Sequence, residues 1–142
     1  MHHFKLYFTC LVIYTTMDFV WINWVAAYWF QMNLGSLLAD SIRWEAVFLF
    51  YLIYPASLLL FAISPSLDKN KWSHALFYGG ALGFSCYITY DLTNLATLRG
   101  WPTRLVIHDV LWGTSLSAAA SFLIFTIATK SSFFFKHHDP QM

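Results

Sequence analysis

Four apolar stretches, about Phe4 to Phe30, Glu45 to Ser64, Ser73 to Leu98 and Leu105 to Thr129, divide the chain. Each is long enough to cross a hydrocarbon core, which takes roughly 20 helical residues. The breaks between them are turn chemistry: a polar, glycine-containing loop around Gly35 to Arg43, a turn through Pro65, Asp68 and Asn70, and a short link through Gly100 and Pro102. This pattern predicts an all-α fold, a four-helix transmembrane bundle, with residues 1–130 as its single domain and residues 131–142 as a short polar cytoplasmic tail. The first stretch follows Lys5 as a signal sequence would, but it runs past Trp29 and contains Asp18 and Asn23, which a signal core avoids. It is expected to be a retained helix.

Composition agrees with a lipid setting. Of 142 residues, 58% are hydrophobic, 20% are aromatic and only 11% are charged, and the mean hydropathy is +0.54. A soluble domain carries roughly 25% charged residues, so this chain lacks the polar surface to cover itself in water. The lipid bilayer is the expected partner. The net charge of +1 leaves no electrostatic footprint for nucleic acid. Cys10 and Cys86 both fall inside apolar segments at unlike depths, so they read as structural, unbridged thiols. Lys5, Lys69, Lys71, Lys130 and Lys136 fall on the side of both termini, against Arg43, Arg99 and Arg104 on the other side, which favours cytoplasmic termini.

The informative feature is a polar layer inside these stretches. At 1.5 Å per residue, Asp109 lies within about two turns of the outer end of the fourth helix and Asp91 about two turns below the outer end of the third. Tyr51 and Tyr54 reach a similar depth in the second helix, and Asp18 lies deeper in the first. Helical neighbours recur three and four residues apart. Tyr87, Tyr90, Asp91, Asn94 and Leu98 therefore share one stripe, Tyr14, Asp18 and Trp21 another, and Asp109, Trp112 and Gly113 a third.

A carboxylate deep in a membrane costs several kcal/mol unless protein, water, a proton or a ligand answers it. Two readings stand for each acid. In the first, Asp18, Trp21, Tyr51, Tyr54, Tyr90, Asp91, Asn94, Asp109 and Trp112 line a ligand-binding pocket. In the second, Tyr hydroxyls, Asn94, Thr93 and Arg99 satisfy the acids and fix helix register. The first reading leads for Asp91 with Asn94, the two balance for Asp18, and the second leads for Asp109, which sits beside His108 and Arg104 near water. Trp21 and Trp112 read as packing or hydrogen-bonding partners of the acids.

Other patterns are plainer. Gly79 and Gly83, with Gly113, Ser117 and Ser121, suit close helix packing in lipid. Pro55 is expected to kink the second helix and free a carbonyl. His2, His3, His137 and His138 read as solvated ends, and no metal site or cofactor is expected. No phosphate loop, dinucleotide fingerprint, zinc-protease motif, Cys-x-x-Cys pair or nucleophile elbow is present.

The run from Tyr90 to Pro102, Tyr90-Asp91-Leu92-Thr93-Asn94-Leu95-Ala96-Thr97-Leu98-Arg99-Gly100-Trp101-Pro102, resembles the hallmark of an uncharacterised bacterial membrane family, domain of unknown function 2177. The resemblance extends to Asp18 and Trp21, to Leu34-Gly35 with Leu38-Ala39-Asp40, to Tyr51 and Tyr54, and to Asp109 with Trp112-Gly113. It implies four membrane helices in a bacterial inner membrane and brings no reaction, ligand or cofactor.

The residues themselves favour a pocket open to the outer half of the membrane. It would bind a small or amphipathic ligand and move it with proton coupling, with a protonated Asp91 as the switch. Two alternatives stand beside it: a membrane enzyme or accessory subunit in lipid modification using Asp91, Asp109 and His108, and a structural subunit whose small-residue faces join a homo-oligomer.

Overall fold

The structure, a computed structural model, describes residues 2–131. Met1, residues 132–142 and the side chains of His2, His3 and Ser36 lie outside that description, and with them the expectations for the terminal histidines and the tail. The described residues form four helical rods without a strand. The first comprises α1 (His2–Trp21), a π-helical turn (Ile22–Ala26) and α2 (Ala27–Leu34). The second comprises α3 (Trp44–Leu58), another π-helical turn (Leu59–Ile63) and α4 (Ser64–Asp68). The third is α5 (Trp72–Thr97) and the fourth α6 (Thr103–Lys130).

The connections explain the up-and-down order, because so few residues can only return the chain antiparallel. Asn70 adopts φ 49° in the second turn, and Gly100 adopts φ 77° just before Pro102, a conformation that suits a residue without Cβ. Both breaks fall where the turn chemistry predicts them.

Three of these helices are long and apolar enough to cross a membrane: Phe4–Leu34, Trp44–Asp68 and Thr103–Lys130. The third rod is also long, at 26 residues, but Ser85, Thr89, Thr93 and Asn94 dilute its apolar character. Its threonines are shielded locally. Thr89, Thr93 and Thr97 donate to the carbonyls of Ser85, Thr89 and Thr93 at 2.6, 2.7 and 2.7 Å, so these hydroxyls ask nothing of their surroundings. The outward faces are apolar, with Trp24 84% and Phe4 74% exposed, as lipid-facing helices require.

The core lies among the first, second and fourth rods. Leu6, Cys10 and Tyr14, four residues apart on α1, meet Tyr54 and Leu58 of the second rod and Leu116, Ala120, Ile124 and Ala128 of α6. The third rod joins differently. It packs along nearly the whole of α6, and glycine makes that possible: a Cβ on Gly79 would run into Ser121, and one on Gly83 into the Gly113 carbonyl and Ser117. The small-residue faces of α5 and α6 thus pack against each other within the chain.

Pro55 sits buried inside α3, and the helix continues through it. The first rod supplies donors to the carbonyls nearby: the Tyr7 hydroxyl bonds the Leu52 carbonyl at 2.9 Å and the Cys10 thiol bonds that of Pro55 at 3.3 Å. Cys10 is therefore structural, as its sequence position implies.

Candidate functional site

The sequence places acids on three rods at overlapping depths, and the structure brings them into one polar layer. Asp109 interacts electrostatically with both Asp91 and Asp18, and Tyr90 with both Asp109 and Asp91. Within this layer the acids occupy unlike surroundings.

Asp18 is buried and fully answered. One carboxyl oxygen accepts the Tyr51 hydroxyl at 2.8 Å, and the other accepts the Trp112 indole N–H at 3.4 Å. Trp21 stacks on Trp112, their ring centres 4.0 Å apart and their planes 8° from parallel. Asp18 and Trp21 of the first rod thus clasp Trp112 of the fourth. Both Asp18 oxygens thereby have partners on other rods.

Asp91 is fully buried, and neither of its carboxyl oxygens has a hydrogen-bond partner. The Trp101 indole, arriving from the link to α6, and Asp109 lie within interaction range. The Trp101 N–H is likewise buried outside good hydrogen-bond geometry, and Trp101 and Asp109 are the polar groups that bear on the Asp91 carboxyl. The satisfiers expected from sequence are engaged elsewhere. Thr93 donates to Thr89 and Tyr90 carbonyls, and Asn94 interacts with Tyr90. Among the described residues Arg99 makes no ion pair with an acid, and Arg43 pairs with Glu45 at 3.0 Å.

Asp109 is half-buried and borders two hollows. One, of about 30 Å³, lies between the first and fourth rods against Trp21, Trp29 and His108; that is room for a water molecule. The other is a cleft of about 300 Å³ lined by Phe50 and Tyr54 of α3, Cys86, Tyr87 and Tyr90 of α5, and Asp109 as its floor. The cleft exists because α3 and α5 barely touch, the second rod meeting the third mainly through the π-turn Leu59–Ile63. It opens sideways at the bundle surface.

Of the nine residues singled out from sequence, Tyr54, Tyr90 and Asp109 line the cleft, and Trp21 and Asp109 the small hollow. Asp18, Tyr51 and Trp112 form the closed clasp, Asp91 is buried behind the wall, and Asn94 stands beside Tyr90. Sequence reasoning ranked Asp109 below Asp91 because it lies near the helix end, and the structure sets it at the border of both hollows. Cys86 departs from the expectation of a buried thiol. That thiol is exposed and lines the cleft, so only Cys10 is structural. Tyr87 was visible in its stripe, and its place is fixed from behind, because a Cβ on Gly113 would overlap the Tyr87 ring. Phe50 carried no signal, being one apolar residue in an apolar helix.

One arrangement at the far end resembles a nucleophile and base without being one. Ser66 and His74 Nδ1 are 2.9 Å apart, and Lys69 Nζ meets His74 Nε2 at 3.1 Å. An ammonium only donates, so Nε2 accepts and Nδ1 carries the proton toward Ser66. The Ser66 hydroxyl in turn donates to the Ala62 carbonyl. The imidazole cannot take that proton, and the trio serves to brace the turn.

No curated protein and no solved structure matches the chain. Residues 3–126 match the model of a family described as predicted membrane protein, DUF2177. That match spans all four rods and the polar layer between them, and the chain belongs to this family of predicted membrane proteins.

Proposed function

We propose that this protein binds a small or amphipathic molecule in the lateral cleft and couples its passage to proton exchange at Asp109 and Asp91, within a bacterial inner membrane and with both termini cytoplasmic. The observation that carries the reading is the cleft of about 300 Å³ floored by Asp109. That volume lies at the small end of ordinary ligand sites, which are apolar hollows with a few convergent polar groups. Asp91 supports it: a buried carboxyl without a hydrogen-bond partner is costly as structure and useful as a proton acceptor. The sideways opening gives an amphipathic molecule entry from the lipid without crossing the bundle core.

Paired lipid and metabolite profiles test this. Cells lacking the gene are compared with cells complemented by the wild-type chain or by Asp91→Asn. A compound that accumulates on deletion, is cleared by the wild type and is not cleared by Asp91→Asn is the expected result. Full complementation by Asp91→Asn removes Asp91 from the mechanism.

A further inference from the structure

We infer that the cleft selects amphipathic organic cations: a substituted ammonium head held over Asp109 among aromatic rings, its apolar tail left in the lipid. The inference rests on the ligand-binding reading above and names the ligand's chemical class.

Charge comes first. The polar layer joins three carboxyl groups, and the interactions that bear on Asp109 come from Asp91 and Asp18, with no basic side chain among them. Behind the wall, Asp91 is fully buried with both oxygens unpartnered. The cleft lining carries one carboxyl and no basic side chain, so it offers an anionic head no counter-charge and a cationic head one. A cation supplies what the protein leaves out.

The walls then distinguish one cation from another. Divalent metals want several oxygen ligands in a tight shell. Among the described residues, no three His, Cys, Asp or Glu side chains are grouped to hold a metal ion. The cleft instead sets Phe50, Tyr54, Tyr87 and Tyr90 around a single carboxyl. Ring faces attract substituted ammonium groups through their quadrupoles, and the attraction grows when the site is shielded from water. The lateral opening between α3 and α5 accommodates the tail.

The protein carries its own reporter. Cys86 lines the cleft with its thiol exposed, whereas Cys10 is buried and bonded to the Pro55 carbonyl. The full chain in proteoliposomes is treated with a maleimide, and the labelling rate of Cys86 is followed with decyltrimethylammonium, decyl sulfate or decanol present. Decyltrimethylammonium is expected to slow labelling about tenfold, the other two less than about twofold, and Asp109→Asn to erase the difference. Should Asp109→Asn fail to insert, Tyr90→Leu at the half-exposed rim is expected to weaken protection by the ammonium alone. Equal protection by all three amphiphiles, unchanged in either variant, overturns the cation inference and leaves the ligand-binding reading standing. No protection by any of them overturns both.

Discussion

Asp18 and Asp91 are two buried carboxyl groups of one polar layer, and their surroundings are opposite. Asp18 holds a tyrosine and a tryptophan from two other rods, whereas Asp91 has Trp101 and Asp109 beside it and no hydrogen bond of good geometry. Burial by itself is therefore a poor guide to function in a membrane chain. An acid whose oxygens are all answered ties helices together, and an acid left unanswered is available for a proton or a ligand.

Three substitutions sharpen or break this contrast. Asp18→Ala leaves the Tyr51 hydroxyl and the Trp112 indole unpaired, and is expected to cost about 3 kcal/mol in unfolding of the detergent-solubilised chain. A loss near zero would mean that the clasp contributes nothing. Tyr51→Phe removes one hydrogen bond to the same carboxyl and is expected to cost about 1.5 kcal/mol by the same measurement. Asp91→Leu is expected to act in the opposite direction, raising stability by about 1 kcal/mol, because replacing a buried polar group that has no partner relieves a desolvation penalty. Destabilisation there would show that Asp91 is satisfied in the folded chain and would dissolve the distinction.

Much of this architecture was legible in the sequence, and the reasons are physical. Apolar stretches of spanning length and the turn residues Asn70, Gly100 and Pro102 mark the rods and their returns. The spacing of Gly79 and Gly83 announces close packing. Period and depth also place the acids in one layer. They do not reveal which acid receives partners, since that depends on the rotation of each helix. Tyr51 turns toward Asp18, whereas Asn94, on the same helix as Asp91, lies beside Tyr90. The cleft was hidden for a related reason. It arises from a contact that is missing between α3 and α5, and an absent contact leaves no pattern in a chain apolar on all sides.

The glycine packing of α5 on α6 has a mechanical corollary. With backbone seated against backbone, those two helices form one stiff plate carrying Cys86, Tyr87, Tyr90 and Asp109. The opposite wall, Phe50 and Tyr54, rides on α3, which is fastened to the plate at Leu59–Ile63 and again where the Tyr54 hydroxyl meets Ser117 Oγ at 2.8 Å. The width of the cleft at Tyr54 is therefore pinned to the plate, as a hasp pins a door to its frame.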